Sequence, residues 1–265
     1  MTPVDVSAET AYDSCSPIYD EWNGENDYEL WLGETLLPEL AKFGLSGGGW
    51  ALDVGCGTGR AFPPLLDRGW KVVGCDVSEG MLQAAQRKFE SRVRLLNLDA
   101  RSLPALTAAP GEARGEAFQL VLLLNDVVNY LVDDGDLEEV FSGVRRNLDP
   151  RSGLVVFDTN TLRQFQDEYA ANDTSAKGSW IWQGLAEDVV PGGTYEASLS
   201  GPRIEKHLHR QRHWLPAEVE AAMDAAGLSV LSVIGQREDE GRVLLSQLPD
   251  EHQDAKFVFV GTASP

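Results

Sequence analysis

The chain has 265 residues, enough for one substantial domain or one domain with an insertion, but short for two independent ones. Its 22 basic and 42 acidic side chains give a formal net charge of −20. That field repels nucleic acid and anionic membrane, whose binding rests on Lys and Arg at phosphate. It serves solubility and mildly favours a neutral or cationic small molecule as partner.

Hydrophobic residues make up 43%, enough for a real core. No apolar run approaches the roughly 18 residues of a membrane span, so no membrane partner is expected. The start, MTPVDVSAETAYDS, lacks the basic residues and apolar stretch of a secretory signal. Cys15, Cys56 and Cys75 are widely spaced and form no CxxC pair, which excludes a disulfide framework and a zinc ribbon. A reduced, cytoplasmic protein is expected, as a monomer or homodimer.

In chain order, residues 8–44 read as helical, with the amphipathic stretch DYELWLGETLLPELAKFG ending at a glycine. Five short apolar runs follow: 49–54, 70–76, 93–99, 118–124 and 153–158. Helical patterns at 78–90 and 134–148 separate several of them, while 100–117 reads as a loop with part of a helix. Strands that alternate with helices and are apolar almost throughout predict a parallel sheet covered on both faces. After residue 160 the regularity breaks. GSWIWQG, GGTYEASLSG and IEKHLHRQRHW read as short antiparallel strands with glycine turns. A helix resumes at Pro216, a favourable first position, and stops at Gly227. Two last strands, LSVLSVIG and KFVFVGT, flank an acidic connection at Glu238, Asp239 and Glu240 and are expected to pair antiparallel.

The predicted fold class is therefore α/β: a doubly wound, mostly parallel Rossmann-like sheet of seven strands, the last antiparallel, with helices on both faces and a small antiparallel β cap. The expected organisation is a helical lid (1–48), a nucleotide-binding core (49–160), an inserted cap (161–214), longer than a normal connecting loop, and completion of the sheet (215–265).

The stretch WALDVGCGTGR (50–60) carries the function. A dinucleotide fingerprint, G-x-G-x-x-G, needs its third glycine for close helix packing beneath a pyrophosphate. Here the spacing is G-x-G-x-G and Arg60 stands where that glycine would be, which disfavours a nicotinamide oxidoreductase. A triphosphatase loop, G-x-x-x-x-G-K, is absent. Three glycines instead let the backbone approach a ligand closely.

At this point the chain resembles the class I S-adenosylmethionine (SAM) methyltransferases, whose first motif looks like LDVGCGTG, and the resemblance extends in order over residues 50–160. It implies SAM as cofactor, with S-adenosylhomocysteine as product. By that resemblance Gly55, Cys56, Gly57 and Gly59 form the cradle and Asp53 accepts from the cofactor ammonium. Asp76, with Val77 beside it, takes the ribose hydroxyls, a task that acidic residues at strand ends share across nucleotide sites. Asp99 and the Ala100 amide face the adenine, and Met81 lies against its ring, although helical spacing equally suits Met81 to the core. Asn125 and Tyr19 face the methionine end, with Tyr12, Tyr28 and Trp31 around the lid.

Ligands in such sheets bind beyond the carboxyl ends of the strands. That puts Asn129 and Tyr130 near the methyl group as catalytic candidates, and Asp126, Asp158 and Asn160 toward the acceptor, unless they cap helices or make turns. The wider pattern is similar to a bacterial small-molecule branch with an antiparallel cap after the fifth strand. In HLHRQRHW, alternation sets His207, His209, Gln211 and His213 on one face and Arg210, Arg212 and Trp214 on the other. His209 is the candidate general base; a solvated cap face is the plainer alternative. A metal is set aside because no suitable carboxylate lies nearby in sequence, so none is expected. Trp180 and Trp182 share a face and suit cap packing, or, for Trp182, stacking on an acceptor.

The expected activity is methyl transfer to an N or O atom of a small molecule. Two alternatives stand beside it: methylation of a protein or other macromolecule, and SAM binding without catalysis.

Overall fold

The computed structural model describes residues 7–24, 26–108, 117–171, 174–239 and 242–265. Part of the loop expected at 100–117, and Glu240 of the acidic connection, lie outside the described residues.

The N-terminal helical region is broken rather than continuous. Helix α1 (Ala8–Cys15) is capped by the Ser7 hydroxyl, which accepts from the Thr10 amide. After α2 (Tyr19–Trp22), a π-helical segment (Glu29–Leu36) runs into α3 (Leu37–Leu40), and Gly44, at φ +88°, ends the region.

The five apolar runs become the parallel strands β1 (Gly49–Val54), β2 (Trp70–Asp76), β3 (Arg94–Asn97), β4 (Leu120–Leu123) and β5 (Leu154–Asn160). Between them lie α4 (Phe62–Leu66), α5 (Glu79–Phe89) and α6 (Asp136–Asn147). In α6 the first turn is acidic and the last carries Arg145 and Arg146, each charge opposing the nearer pole of the helix dipole. Beyond α8 (Pro216–Ala225) come β10 (Leu228–Asp239), β11 (Arg242–Ser246) and β12 (Lys256–Ala263).

The main sheet has the order β11-β10-β12-β5-β4-β1-β2-β3. It is the doubly wound, Rossmann-like sheet anticipated, with β12 antiparallel to β5. One strand was not anticipated. The acidic connection after β10 extends that strand and returns as β11, which pairs antiparallel on the outer edge. β12 is thus interior, between β5 and β10, and β11 is the edge.

Alternation along the strands supplies both faces of the sheet. Leu52, Val121, Val155 and Phe157 pack with α6 and α8, whereas Ala51, Leu122, Val156 and Val258 pack with α4, α5 and the π-helical segment. The strand order reverses between β1 and β4, which opens a crevice at their carboxyl ends.

Chain between β5 and α8 forms the cap. It starts with a helix, α7 (Leu162–Tyr169), whose cap is the Thr161 hydroxyl. A four-stranded antiparallel sheet follows: β6 (Thr174–Lys177), β7 (Trp180–Gly184), β8 (Thr194–Gly201) and β9 (Ile204–Arg212). A separate apolar cluster, including Cys15, Ile18, Tyr19, Phe165, Tyr169, Trp180 and Trp182, welds α1 and α2 to this sheet. Among the described residues no helix is long and apolar enough to cross a membrane.

Candidate active site

The glycine turn after β1 is shaped by close contacts that only glycine tolerates. Gly55 has φ +72°, and a Cβ there would sit 2.5 Å from Val127 Cγ2. Gly57, at φ +52°, leaves its surface open toward the Tyr19 ring, 4.0 Å away, and its amide donates to Asp76 Oδ2 at 2.8 Å. Gly59 faces Phe62 and Phe89 and forms the turn from behind.

Gly55, Gly57 and Asp76 line a cavity of about 380 Å³ whose wall also holds Tyr12, Tyr19, Tyr28, Asp53, Val77, Leu98, Asp99, Ala100, Asn125 and Tyr130. Asp53 and Asp76 are both buried there. Burial pushes the Asp53 carboxyl up to about 8, with the nearby Asp76 adding to the rise. Burial also raises Asp76, to about 6, against the pull of the Ser78 and Gly57 amides that donate to it. Asp99 is held by Arg101, whose Nη2 donates to Oδ2 at 2.6 Å and keeps that carboxyl below its usual range.

Of the residues expected around a cofactor, Tyr19, Asp53, Gly55, Cys56, Gly57, Asp76, Val77, Asp99, Ala100 and Asn125 are all on this wall. Met81 and Gly59 are not. Met81 is fully buried with Cys15, Ile18 and Tyr19, because α1 and α2 lie over the start of α5; Val77 and Leu98 supply the apolar wall in its place.

A second cavity, about 470 Å³, lies beneath the cap. Tyr12, Tyr19, Tyr28, Asn125 and Tyr130 line both cavities and form their common wall. Burial raises all four phenols, so this wall is uncharged at neutral pH. Asp126, Asn160, Tyr169, Trp182, Gln211 and Lys256 face the second cavity. Asn160 Oδ1 and the Tyr169 hydroxyl are buried there without a hydrogen-bond partner.

The boundary between the cavities is fixed by an unusual loop. Asn125 and Asp126 are consecutive non-glycine residues at φ +64° and +62°, a left-handed region that few residues besides glycine enter and that Asn and Asp enter more readily than the rest. Both amides donate to the fully buried Asp158 carboxylate, at 2.6 and 2.7 Å. Lys256 Nζ completes the arrangement, donating to Asp126 Oδ1 at 2.9 Å and Asp158 Oδ1 at 3.1 Å. Burial alone would lower the Lys256 ammonium; the two carboxylates outweigh it and hold the pKa well above the usual lysine range. Gln211 Nε2 donates to Asp126 Oδ2 at 2.9 Å and Asn160 Nδ2 donates to Gln211 Oε1 at 3.2 Å.

This changes what several candidates do. Asp158, expected toward the acceptor, is on neither cavity wall and anchors the loop from within. Asn129 is likewise internal: its Oδ1 accepts from the Asn160 amide and its Nδ2 donates to the Arg212 carbonyl, both at 2.9 Å. His209, expected in the pocket as a general base, is sealed behind Tyr130, whose hydroxyl lies 2.8 Å from Nδ1. Burial, with His207 beside it, lowers the His209 imidazole to about 3, too weak a base for that role near neutral pH. Lys256 was missed. The only sign of it in sequence is a lysine opening the apolar run KFVFVGT.

The lid is fastened to the core by two carboxylates. Asp13 accepts from the Ser78 hydroxyl at 2.5 Å and the Gly80 amide at 2.9 Å, while Asp20 accepts from Thr58 at 2.6 Å and Lys88 at 2.9 Å. Arg60, which stands in place of the dinucleotide glycine, donates to the Asn26 carbonyl and lies over the Tyr28 ring.

Residues 51–151 match the family described as "Methyltransferase domain". A Bacillus subtilis relative named "Putative methyltransferase YqeM" is 31% identical over 229 residues, which cover 83% of this chain and 87% of that protein. Among solved structures, a SAM-dependent methyltransferase from Clostridium acetobutylicum superposes with a TM-score of 0.72 at 19% identity, covering 96% of this chain and 100% of that one. The sugar N-methyltransferase KedS8 from Streptoalloteichus sp. gives 0.63 at 18% identity, with coverage of 94% and 92%. The chain belongs to the class I SAM-dependent methyltransferases.

Two outcomes follow from the charges in the site. Lys256→Met leaves two carboxylates facing each other in the interior; stability is expected to fall by roughly 3–5 kcal/mol in urea unfolding. A loss under 1 kcal/mol would mean that water already solvates Asp158.

Asp53 gives the second. Its folded pKa lies above the unfolded value, so the folded chain keeps a proton that the unfolded chain has released. Stability is therefore expected to decline as pH rises from about 4 to about 8, and Asp53→Asn to flatten that decline. A ligand ammonium beside Asp53 reverses the preference. S-adenosylhomocysteine should then release nearly one proton on binding at pH 7, read by calorimetry in buffers of different ionisation heat. No release would show that Asp53 does not meet the cation.

Proposed function

We propose that this chain transfers the methyl group of SAM to a nitrogen or oxygen atom of a small polar acceptor held in the second cavity. The observation that carries the reading is the pair of cavities joined through one wall, with Asn160 Oδ1 and the Tyr169 hydroxyl buried and unpartnered in the acceptor half. A buried polar atom without a partner costs about 1–3 kcal/mol, and both atoms belong to residues of the second cavity's wall, beside Asp126 and Gln211.

The first cavity fits the cofactor on its own chemistry. The space that a Cβ at Gly57 would enter is open, Asp53 suits an ammonium, and Asp76 suits a pair of ribose hydroxyls. Val77, Leu98 and Ala100 provide an apolar place for an adenine ring beside Asp99. Bound there, SAM supplies a methyl group already activated on a sulfonium sulfur.

The work left to the protein is alignment and exclusion of water. Such positioning supplies of order 7–11 kcal/mol for well-oriented reactants. Tyr12, Tyr19, Tyr28 and Tyr130 are neutral, so they shape the passage between the cavities and orient lone pairs without competing as nucleophiles. Asp126, pinned by Gln211 and Lys256, offers a carboxylate edge to the acceptor. A neutral amine attacks without a base, and no residue of the second cavity is a free imidazole. This favours nitrogen, in keeping with KedS8, a sugar N-methyltransferase. His209 acts here through Tyr130, as a positioning residue.

The test is to incubate the protein with methyl-labelled SAM and a cell extract, and to separate products by size. Label is expected in the low-molecular-weight fraction, and Asp76→Ala should weaken S-adenosylhomocysteine binding by about 10–100-fold, the loss of charged hydrogen bonds worth about 1.5–3 kcal/mol. Label on protein or nucleic acid would contradict the small-acceptor reading. Wild-type affinity in Asp76→Ala would contradict the ribose assignment.

A further inference from the structure

Behind the common wall, where the lid meets the cap, three metal-ligating side chains converge. Cys15 closes α1, and His207 and His209 point from the same face of β9. One donor atom from each lies within 4.8 Å of the other two. Cys15 and His209 have no solvent exposure, and the Nε2 atoms of both histidines are buried and unpartnered.

The opposite ring nitrogens are both engaged. His207 Nδ1 is 2.9 Å from the Glu205 carbonyl oxygen, which fixes it as the protonated nitrogen and leaves Nε2 as the lone-pair donor. His209 Nδ1 is 2.8 Å from the Tyr130 hydroxyl, which can accept in the same way. Imidazoles oriented by an outer hydrogen bond, with the other nitrogen bare, are the arrangement that metal-ligating histidines show. Each bare, buried nitrogen costs about 1–3 kcal/mol if nothing takes it.

We propose that Cys15 Sγ, His207 Nε2 and His209 Nε2 form a Zn²⁺ site that clasps the lid helix to the cap strand. One thiolate and two imidazoles suit this borderline-soft ion. Bonds of about 2.0–2.3 Å bring tetrahedral donors to roughly 3.3–3.7 Å from one another, so the three side chains close by about 1 Å on the ion. Binding converts the Cys15 thiol to a zinc-bound thiolate and releases one proton to solvent.

The elements explain why such a site would matter. Cys15 lies two residues from Asp13, one of the lid's fastenings, and His209 backs Tyr130 in the wall between the cavities. The Trp22, Trp182 and Tyr12 rings lie within 5.0–6.4 Å of His209, and a water molecule would supply the fourth donor of the tetrahedron. An ion here would hold the lid shut and fix the ring that orients Tyr130. The third donor is remote in sequence, which is why the histidines alone gave no metal site.

The probe is Co²⁺, followed by competition with Zn²⁺, on the reduced full chain with no cofactor added. One equivalent of Co²⁺ should produce a thiolate-to-metal charge-transfer band in the near ultraviolet, and Zn²⁺ should displace it. The band should vanish in Cys15→Ser. In His207→Gln, which retains Cys15, Zn²⁺ affinity should fall by at least about 100-fold, since losing a ligand exceeds the 10–100-fold cost of an outer-shell change. Either variant suffices if the other does not fold. No charge-transfer band in the wild type, a band that survives Cys15→Ser through Cys56 or Cys75, or unchanged affinity in His207→Gln would each overturn the proposal.

Discussion

A carboxylate with no solvent exposure sits at the carboxyl end of β5, and the site is arranged around keeping Asp158 there. A buried charge survives only if it is paired and hydrogen-bonded. Asp158 meets that demand with two successive backbone amides, Asn125 and Asp126, and with the ammonium of Lys256 across the β5–β12 pairing. The left-handed backbone of both amide donors is the conformational cost, of order 1–3 kcal/mol each, and it turns their side chains toward the two cavities. The same lysine reaches Asp126, so the loop and the neighbouring strand share one electrostatic bolt.

The two cavities meet at the loop that this bolt holds, with Asn125 on the wall of each. On one side the glycine turn after β1 and the Asp76 carboxylate form a cradle joined by the Gly57 amide. On the other, the cap covers a second chamber, which shares with the first a wall of neutral phenols and Asn125. The lid completes both chambers because the same α1 and α2 aromatics line each of them. Exposed or half-exposed contacts such as Asp20 with Lys88 are individually weak; the apolar cluster that packs Cys15, Ile18 and Tyr19 against Trp180 and Trp182 does more to hold α1 and α2 in place.

The parts of the fold that were legible in sequence are those written in local pattern. The five apolar runs, the glycine turn and the helix opening at Pro216 depend on periodicity and backbone freedom, which neighbours in sequence express. The charged run after β10 was read as a connection because Glu238 and Asp239 carry no strand pattern, yet a hairpin on a sheet edge accepts charge and even benefits from it. Helix α7 lines the second cavity, not the first; its Thr161 cap and the spacing of Leu162, Phe165 and Tyr169 are local helix signals that the reading of 161–214 as short strands passed over. Site residues divide in the same way. Asp53, Gly55, Gly57 and Asp76 were singled out through the resemblance and line the first cavity, whereas Lys256, Asp158 and His209 take their places from burial, and burial is set by partners far along the chain. Asp158 was singled out for its place at a strand end, but alternation directs its side chain to a different neighbour than the acceptor. His209 was singled out for its chemistry, but depth in the cap removes both its basicity and its access.

The central claim, that a buried carboxylate holds the boundary loop, is tested most directly by amide hydrogen exchange measured by NMR in the ligand-free protein. The Asn125 and Asp126 amides lie in a loop with no helical or sheet partners of their own, and the account predicts that they exchange as slowly as the amides of β4 and β5. In Asp158→Ala both should exchange about ten to a hundred times faster, as expected when a charge-assisted bond worth roughly 1.5–3 kcal/mol is lost at each. Rapid exchange of the two amides in the wild type would contradict the account, and would mean that the loop is held by something other than Asp158.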